Sequence, residues 1–418
     1  MNSLENIMRY SISKAEAAVP LGPAVKRHLP IAAGMAVLAL SSVQANGAPA
    51  PLNNLNPNQR SVDAAIGSCS SYYSDLESDS PAVCQASFSD IQSLTPDQVL
   101  GLGNSITRLD GGRNPVPYDY YSNNQTSRLG GGSGDADFPP LNFWTKVDSG
   151  FGAHDNTALN VAGFKYDNHN FMAGVDYRIS DSWVSGAVFN YRHSNAAFNA
   201  GRGETLGDSY TGMLYTSYFV TEAFHLDATA SYGGHEFETT RNITLGGVSS
   251  AAKAKPNADQ YSFSWGGGYD WHHKALSIAP YARGEYTALN IDGYAESGSV
   301  AAVRFGKQNI ESLISTVGVQ TAYTFSFPWG VLIPQLRGEW HHQFLDGRRS
   351  VTGSFIADGS GSTFSMVNDA PTRDYYTFGA EVSTVLPGGV SAFLAYETLQ
   401  SYRHVESNRL MLGGRLEF

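Results

Sequence analysis

The residues able to do chemistry in this 418-residue chain are few, and their spacing argues mostly against catalysis. Gly207-Asp208-Ser209 begins like a serine-esterase motif, but Tyr210 follows where Leu belongs, and the position reads as a loop-to-strand junction. His272-His273 and His341-His342 are adjacent pairs. Neighbours on a strand point to opposite faces, so neither pair suits one metal ion. Trp265-Gly266-Gly267-Gly268 is glycine-rich but sits mid-strand, with no helix after it to hold a phosphate. Glycines there suit close packing or curvature. No phosphate-loop or metalloprotease motif is present. No residue here has the pattern of a catalytic, cofactor-binding or metal-ligating set, and neither an enzyme nor a cofactor is expected.

More informative is a set of charges of both signs: Asp176, Arg178, Arg192, Asp227, Arg283, Glu285, Arg337, Glu339, Glu381, Glu397, Arg415 and Glu417. Each sits one position away from a run of alternating apolar residues. Phe171, Ala173, Val175, Tyr177 and Ile179 share one face of a strand, with Met172, Asp176 and Arg178 on the other. Pro280, Ala282 and Tyr286 oppose Tyr281, Arg283 and Glu285, and Leu336 and Trp340 oppose Arg337 and Glu339. In a soluble sandwich the apolar face would meet a second sheet. In a membrane barrel it meets lipid while the charges line the interior.

Connection lengths favour the barrel. Tight turns near 180–182, 221–222, 272–274, 328–330 and 387–389 alternate with longer polar stretches near 195–207, 238–257, 292–306 and 346–371. Outer-membrane barrels show this asymmetry of short and long ends. Twelve antiparallel strands are expected between 142 and 418. The charges, with Arg283, Glu285, Arg337 and Glu339 foremost, are expected to line a hydrated lumen that holds a polypeptide plug or conducts small solutes. The plainer alternative is that they only keep the interior solvated.

Composition agrees. Charged residues are 16% and glycines number 44, with 23 Tyr, 21 Phe and 6 Trp, which is unusual for a cytoplasmic enzyme. A net charge of -11 and the lack of a Lys/Arg-rich run argue against nucleic acid as a partner. Lys26-Arg27-His28, the apolar run Leu29–Leu40 and small residues up to Ala45 read as a signal peptide over 1–45. A short helical segment is expected over 46–110. Val62, Ala65, Ile66, Cys69, Tyr72, Tyr73 and Leu76 recur at helical spacing, and Thr95-Pro96-Asp97-Gln98 opens a further helix. An exported chain with two cysteines suits a Cys69–Cys84 disulfide, worth about 3 kcal/mol on the chain-entropy model. Two free thiols are the alternative, and metal binding is disfavoured by the lack of a nearby His. Residues 111–140, with Gly130-Gly131-Gly132 and Pro139-Pro140, have linker composition. The barrel then occupies 141–418.

Several stretches of this region resemble the translocator β-domain of autotransporters, the type V secretion proteins of Gram-negative bacteria. Ala279-Pro280-Tyr281-Ala282-Arg283-Gly284-Glu285-Tyr286, followed by Gly293-Tyr294-Ala295-Glu296-Ser297-Gly298, is similar to a proline-aromatic strand and its Gly-Tyr-x-Glu-x-Gly loop in that family. Pro334 to Phe344, containing Trp340, His341 and Phe344, resembles a second family stretch, with Gln343 in place of an acid. Gly174-Val175-Asp176-Tyr177 is a third. The ending Gly413-Gly414-Arg415-Leu416-Glu417-Phe418 resembles the terminal strand that barrel-assembly machinery recognises, which would make Leu416 and Phe418 the assembly signal. Asn56-Pro57-Asn58-Gln59 and the helices after it, two cysteines included, also look like a segment some autotransporters carry before the barrel.

The resemblance implies a monomeric barrel in the outer membrane of a Gram-negative bacterium. Lipid, assembly machinery and periplasmic chaperones would be its partners. Only 95 residues, 46–140, precede the barrel, so the implied work is to export or anchor that short segment at the cell surface. The rival expectations are a passive pore or orphan barrel plugged by the segment, and a surface enzyme or adhesin.

Overall fold

The computed structural model describes residues 55–76, 78–96, 98–100, 141–159 and 163–417. Twelve strands follow one another: β1 (Leu141–His154), β2 (Phe164–Ser180), β3 (Trp183–Phe198), β4 (Gly203–Phe219), β5 (Phe224–Leu245), β6 (Asn257–Tyr269), β7 (Leu276–Ile291), β8 (Gln308–Tyr323), β9 (Gly330–Gln343), β10 (Asp374–Leu386), β11 (Val390–Gln400) and β12 (Val405–Glu417). Each pairs antiparallel with its neighbours in sequence. The last returns to the first, Phe143 opposite Leu416 and Val147 opposite Leu412, so the sheet closes on itself. Closure leaves no open strand edge across the membrane, where neighbouring strands pair one another's backbone groups.

The period of two decides which way each side chain points. Phe171 is 45% exposed and its neighbour Met172 is 5% exposed. Leu336, Phe378, Leu394, Leu410, Leu412 and Leu416 project outward in the same way. Rings gather outside the tight-turn end: Tyr177, Trp183, Tyr218, Trp271, Phe325 and Trp329. This placement suits an interfacial girdle. No helix among the described residues is long and apolar enough to cross a membrane.

Inside the wall, large rings lie sideways over glycines of the next strand. Trp144 covers Gly174 and Tyr215 covers Gly186; a Cβ at these glycines would stand 2.3 Å and 2.4 Å from the covering ring. The two rings meet, with Trp144 Nε1 donating to Tyr215 OH at 3.3 Å. They belong to an apolar cluster with Met172, Val184, Val188, Met213, Phe219, Ala279 and Tyr281.

The wall differs from the sequence reading at its far end. The stretches near 195–207 and 238–257, expected as loops, are mostly strand. β3 and β4 run out to Phe198 and Gly203 and are joined by a short 3-10 turn, Asn199–Gly201. β5 has 22 residues and, past β6, pairs with a hairpin strand, Val248–Ala254. At ~3.3 Å per residue β5 is about 70 Å long. Beyond the membrane both faces of a strand meet water or protein, so polar residues lose their value as a sign of loops there. Residues 292–306 and 346–371 are not plain loops either. Tyr294–Ala295, Val303–Phe305, Ser350–Phe355 and Phe364–Val367 form a second, four-stranded sheet.

Helix α1 (Pro57–Asp75) packs on this sheet. Asn56 and Gln59 cap it reciprocally, with Pro57 in the first turn. Val62, Ala65, Ile66 and Cys69 are buried as the helical spacing predicts, while Tyr72 and Leu76 are exposed. The looser pattern after it forms 3-10 turns, Ala82–Gln85 and Phe88–Asp90, and a single helical turn, Ile91–Leu94. Cys69 and Cys84 are disulfide-bonded, with Cα atoms 5.4 Å apart. Residues 98–100 are helical; the expected signal peptide, the rest of that helix and the linker lie outside the described residues.

Candidate functional site

The inward positions of the twelve strands build a polar, ionised lumen. On β7 to β11, Tyr281 OH donates to Glu339 Oε1 at 2.6 Å. Glu339 Oε2 lies 3.5 Å from His341 Nε2. The His341 ring nitrogens also meet Thr316 Oγ1 at 2.9 Å and Thr377 Oγ1 at 3.1 Å, and the ring stacks on Tyr375. Arg337 pairs with Glu397 across the strands. Gln335 Nε2 donates to Glu381 Oε1 at 3.1 Å. The guanidinium carbon of Arg283 stands 5.9 Å from the centre of the Tyr281 ring, and Glu285 is buried one inward step further.

A second charged wall spans β12 to β3. Asp148 receives a hydrogen bond from Asn170 Nδ2 at 2.6 Å and faces Lys146 at 3.6 Å and Arg409 at 3.8 Å. Arg192 Nε donates to Asn170 Oδ1 at 2.7 Å. Asp176 is held by Arg415 at 3.2 Å and by Asn142 at 3.1 Å. Sequence reading missed Lys146, Asp148 and Arg409. The alternation of Asn142, Trp144, Lys146 and Asp148 between Phe143 and Val147 carried the signal for two of them.

These walls have opposite excess charge. Lys146, Arg178, Arg192, Arg409 and Arg415 outnumber Asp148 and Asp176 on β12 to β3, whereas Glu285, Glu339, Glu381 and Glu397 outnumber Arg283 and Arg337 on β7 to β11. The lumen is therefore crossed by a field from one wall to the other. Buried ions of this kind persist only when paired and hydrogen-bonded. His225, at the tight-turn end, is flanked by Asp227 at 3.5 Å and Asp270 at 3.2 Å.

The other singled-out residues fall as follows. Ser209 Oγ lies 2.7 Å from His235 Nδ1 inside the barrel, but Asp208 points outward to Tyr191 and His193. Asp208 thus cannot complete a catalytic set with them. His341 faces in and His342 faces out to Asp374. His272 and His273 are exposed at the tight-turn end. Trp265 lies over Gly284 on the outer surface. Leu416 is on the outward face. Phe418 and the Glu417 side chain lie outside the described residues.

Across the long-connection end lies the helical segment. Asn58 Nδ2 donates to Leu159 O at 3.0 Å and Val367 O at 2.9 Å, and Val367 N–H donates back to Asn58 Oδ1. Tyr73 OH accepts from Gly359 N–H. Ser93 Oγ accepts from Thr244 N–H at 2.9 Å. Arg202 Nη2 donates to Gln92 O at 2.7 Å and Thr95 O at 2.8 Å, and Gln98 Nε2 donates to Arg202 O at 2.9 Å. Below them Arg241 grips Glu296 through two bonds, 3.0 and 2.6 Å, and donates to Ala301 O. Asp90 accepts from the Ser87 hydroxyl and amide and from Gly246 N–H, and the Ser87 hydroxyl holds its carboxyl below the usual carboxylate range. Segment and rim share one apolar core, in which Val62, Ile66, Ile91 and Leu94 join Phe237, Leu289, Val303 and Phe364.

Comparison with known proteins bears on the barrel. The sequence model of the Autotransporter beta-domain family matches residues 143–397. An extracellular serine protease of Serratia marcescens is 24% identical over 266 residues, 63% of this chain and 25% of the relative. The esterase EstA of Pseudomonas aeruginosa is 25% identical over 182 residues, 42% of this chain and 27% of the relative. The chain thus spans about a quarter of the length of these curated relatives. The solved translocator domain of autotransporter NalP from Neisseria meningitidis superposes with a TM-score of 0.55 at 15% identity, covering 72% of this chain and 95% of that one. With a closed wall of twelve strands, a charged lumen and a family match over more than half of its length, the chain belongs to the autotransporter β-domain family and is an outer-membrane β-barrel translocator of the Gram-negative type.

Proposed function

We propose that the cargo of this translocator is its own N-terminal segment, displayed at the cell surface and anchored by the barrel. The observation that carries the reading is that the helical segment and the start of β1 lie at opposite ends of the wall. Gln98 belongs to the segment bonded to the long-connection end, and Leu141 opens β1 at the tight-turn end, opposite Tyr177. Long connections face outward from the cell in such barrels. The wall between the two positions is closed, which supports the lumen as the passage we assign to the exported chain.

On this reading residues 1–45 are the export signal, 46–110 the displayed segment and 111–140 the linker. The charged walls, Arg283, Glu285, Arg337 and Glu339 included, solvate a passing polypeptide. The barrel works as a monomer and carries out no reaction. Its terminal strand, through Leu416 and Phe418, is the handle for assembly machinery after chaperones bring the chain across the periplasm.

The test is a tag placed after residue 46, followed by protease treatment of intact cells. Loss of the tag, with the barrel intact in outer membranes and shifting on heating in gels, is the expected result. A protected tag beside a measurable bilayer conductance would favour a passive pore instead.

A further inference from the structure

A segment bonded to connections spaced around a ring has to lie across the ring. Residues 55–100 touch the β1–β2 connection at Leu159, the β3–β4 turn at Arg202, the β5 extension at Thr244 and its hairpin at Gly246, and the β9–β10 connection at Gly359 and Val367. The β7–β8 connection joins through Val303 and Phe305 in the shared apolar core. Five of the six connections at that end therefore hold the same segment. Inward side chains of β5 to β8, among them Phe237, Ala258, Leu289 and Ile310, point into its underside. On that side the polar lumen ends beneath an apolar layer, and ions do not cross such a layer cheaply.

We propose that residues 55–100 are a gating cap that shuts the outer mouth of the lumen to ions and small polar solutes, with Arg202 as its clasp. The proposal rests on the reading that this segment is exported and adds a second role for it. Arg202 suits a clasp because its contacts are to the backbone of the cap, at Gln92 and Thr95, while Gln98 of the cap bonds back to its carbonyl. It stands in the short connection between β3 and β4, level with Asn242 of β5, so its loss leaves the transmembrane pairing intact. Arg241 and Glu296, both buried, brace the rim below it. Two hydrogen bonds from a charged donor are lost in Arg202→Met, which raises the open fraction about 100-fold.

The test is single-channel recording of the purified full chain in planar bilayers with potassium chloride as the permeant probe. Wild type stays closed for most of the record, and Arg202→Met opens about 100-fold more often. Joining Ser93→Cys to Thr244→Cys with a short bifunctional maleimide silences the Arg202→Met channel. Heat-shifted gel migration checks that each variant is folded. Equal currents in wild type and Arg202→Met, unchanged by the cross-link, overturn the cap even when the tag after residue 46 is cut from intact cells. A tag protected in intact cells overturns the cap together with the export reading.

Discussion

Gly174→Ala places a methyl where the indole of Trp144 lies. The new Cβ would stand 2.3 Å from Trp144 Cε2 and 2.4 Å from Cζ2, well inside contact distance, so the ring must move. It has little freedom, because Trp144 Nε1 bonds Tyr215 OH and Tyr215 lies flat over Gly186. Overpacking of a filled site costs about 1–3 kcal/mol. Losing the Trp144–Tyr215 bond adds about 0.5–1.5 kcal/mol. The variant should therefore be less stable by about 2–4 kcal/mol, read as a shift of the urea unfolding midpoint in detergent at unchanged slope. The decisive control is a double-variant cycle. In a Trp144→Ala background the methyl meets no ring, and Gly174→Ala should cost less than about 1 kcal/mol. An equal cost in both backgrounds would refute the account of ring-over-glycine packing.

Leu214, 67% exposed on the outer wall, should not tolerate Arg. Leu214→Arg is expected to cost about 2–4 kcal/mol in folding into lipid vesicles, and its inward neighbour Met213 would not show the same depth dependence. Replacing both Cys69 and Cys84 with Ser should cost the segment about 3 kcal/mol, seen as faster proteolysis of residues 55–100 while the heat shift of the barrel is kept. Asp90 has a lowered carboxyl pKa, so its contribution is complete above the ordinary value of 3.8 and fades as pH falls through the lowered one. Pepsin should cut the segment increasingly as pH drops below that value, and Asp90→Asn should remove this dependence.

Which parts of this architecture could be read in the residues follows from where the physics is simple. Inside the membrane one face of a strand meets lipid and the other a polar lumen. Phe171 and Met172, or Leu336 and Arg337, therefore announce both strand and direction. Arg283, Glu285, Arg337 and Glu339 all fall on the inward side for that reason. Outside the membrane the rule lapses. Glu238, Thr239 and Thr240 look like loop residues, yet they lie on β5, because water accepts polar side chains on a strand as readily as on a turn. The docking of the cap was hidden for another reason. Asn58, Arg202 and Gln98 meet through backbone carbonyls more than a hundred residues apart, and no local period encodes such partners.

The central claim is that the helical segment and the tight turns stand on opposite sides of one closed wall, with the segment outside the cell. Impermeant maleimide labelling of single-site variants in intact cells tests it directly. Asp63→Cys, on the exposed side of α1, should label at once, while Lys274→Cys, at the tight turn before β7, should label only after the outer membrane is permeabilised. Labelling of Lys274→Cys in intact cells, or protection of Asp63→Cys, would contradict the account.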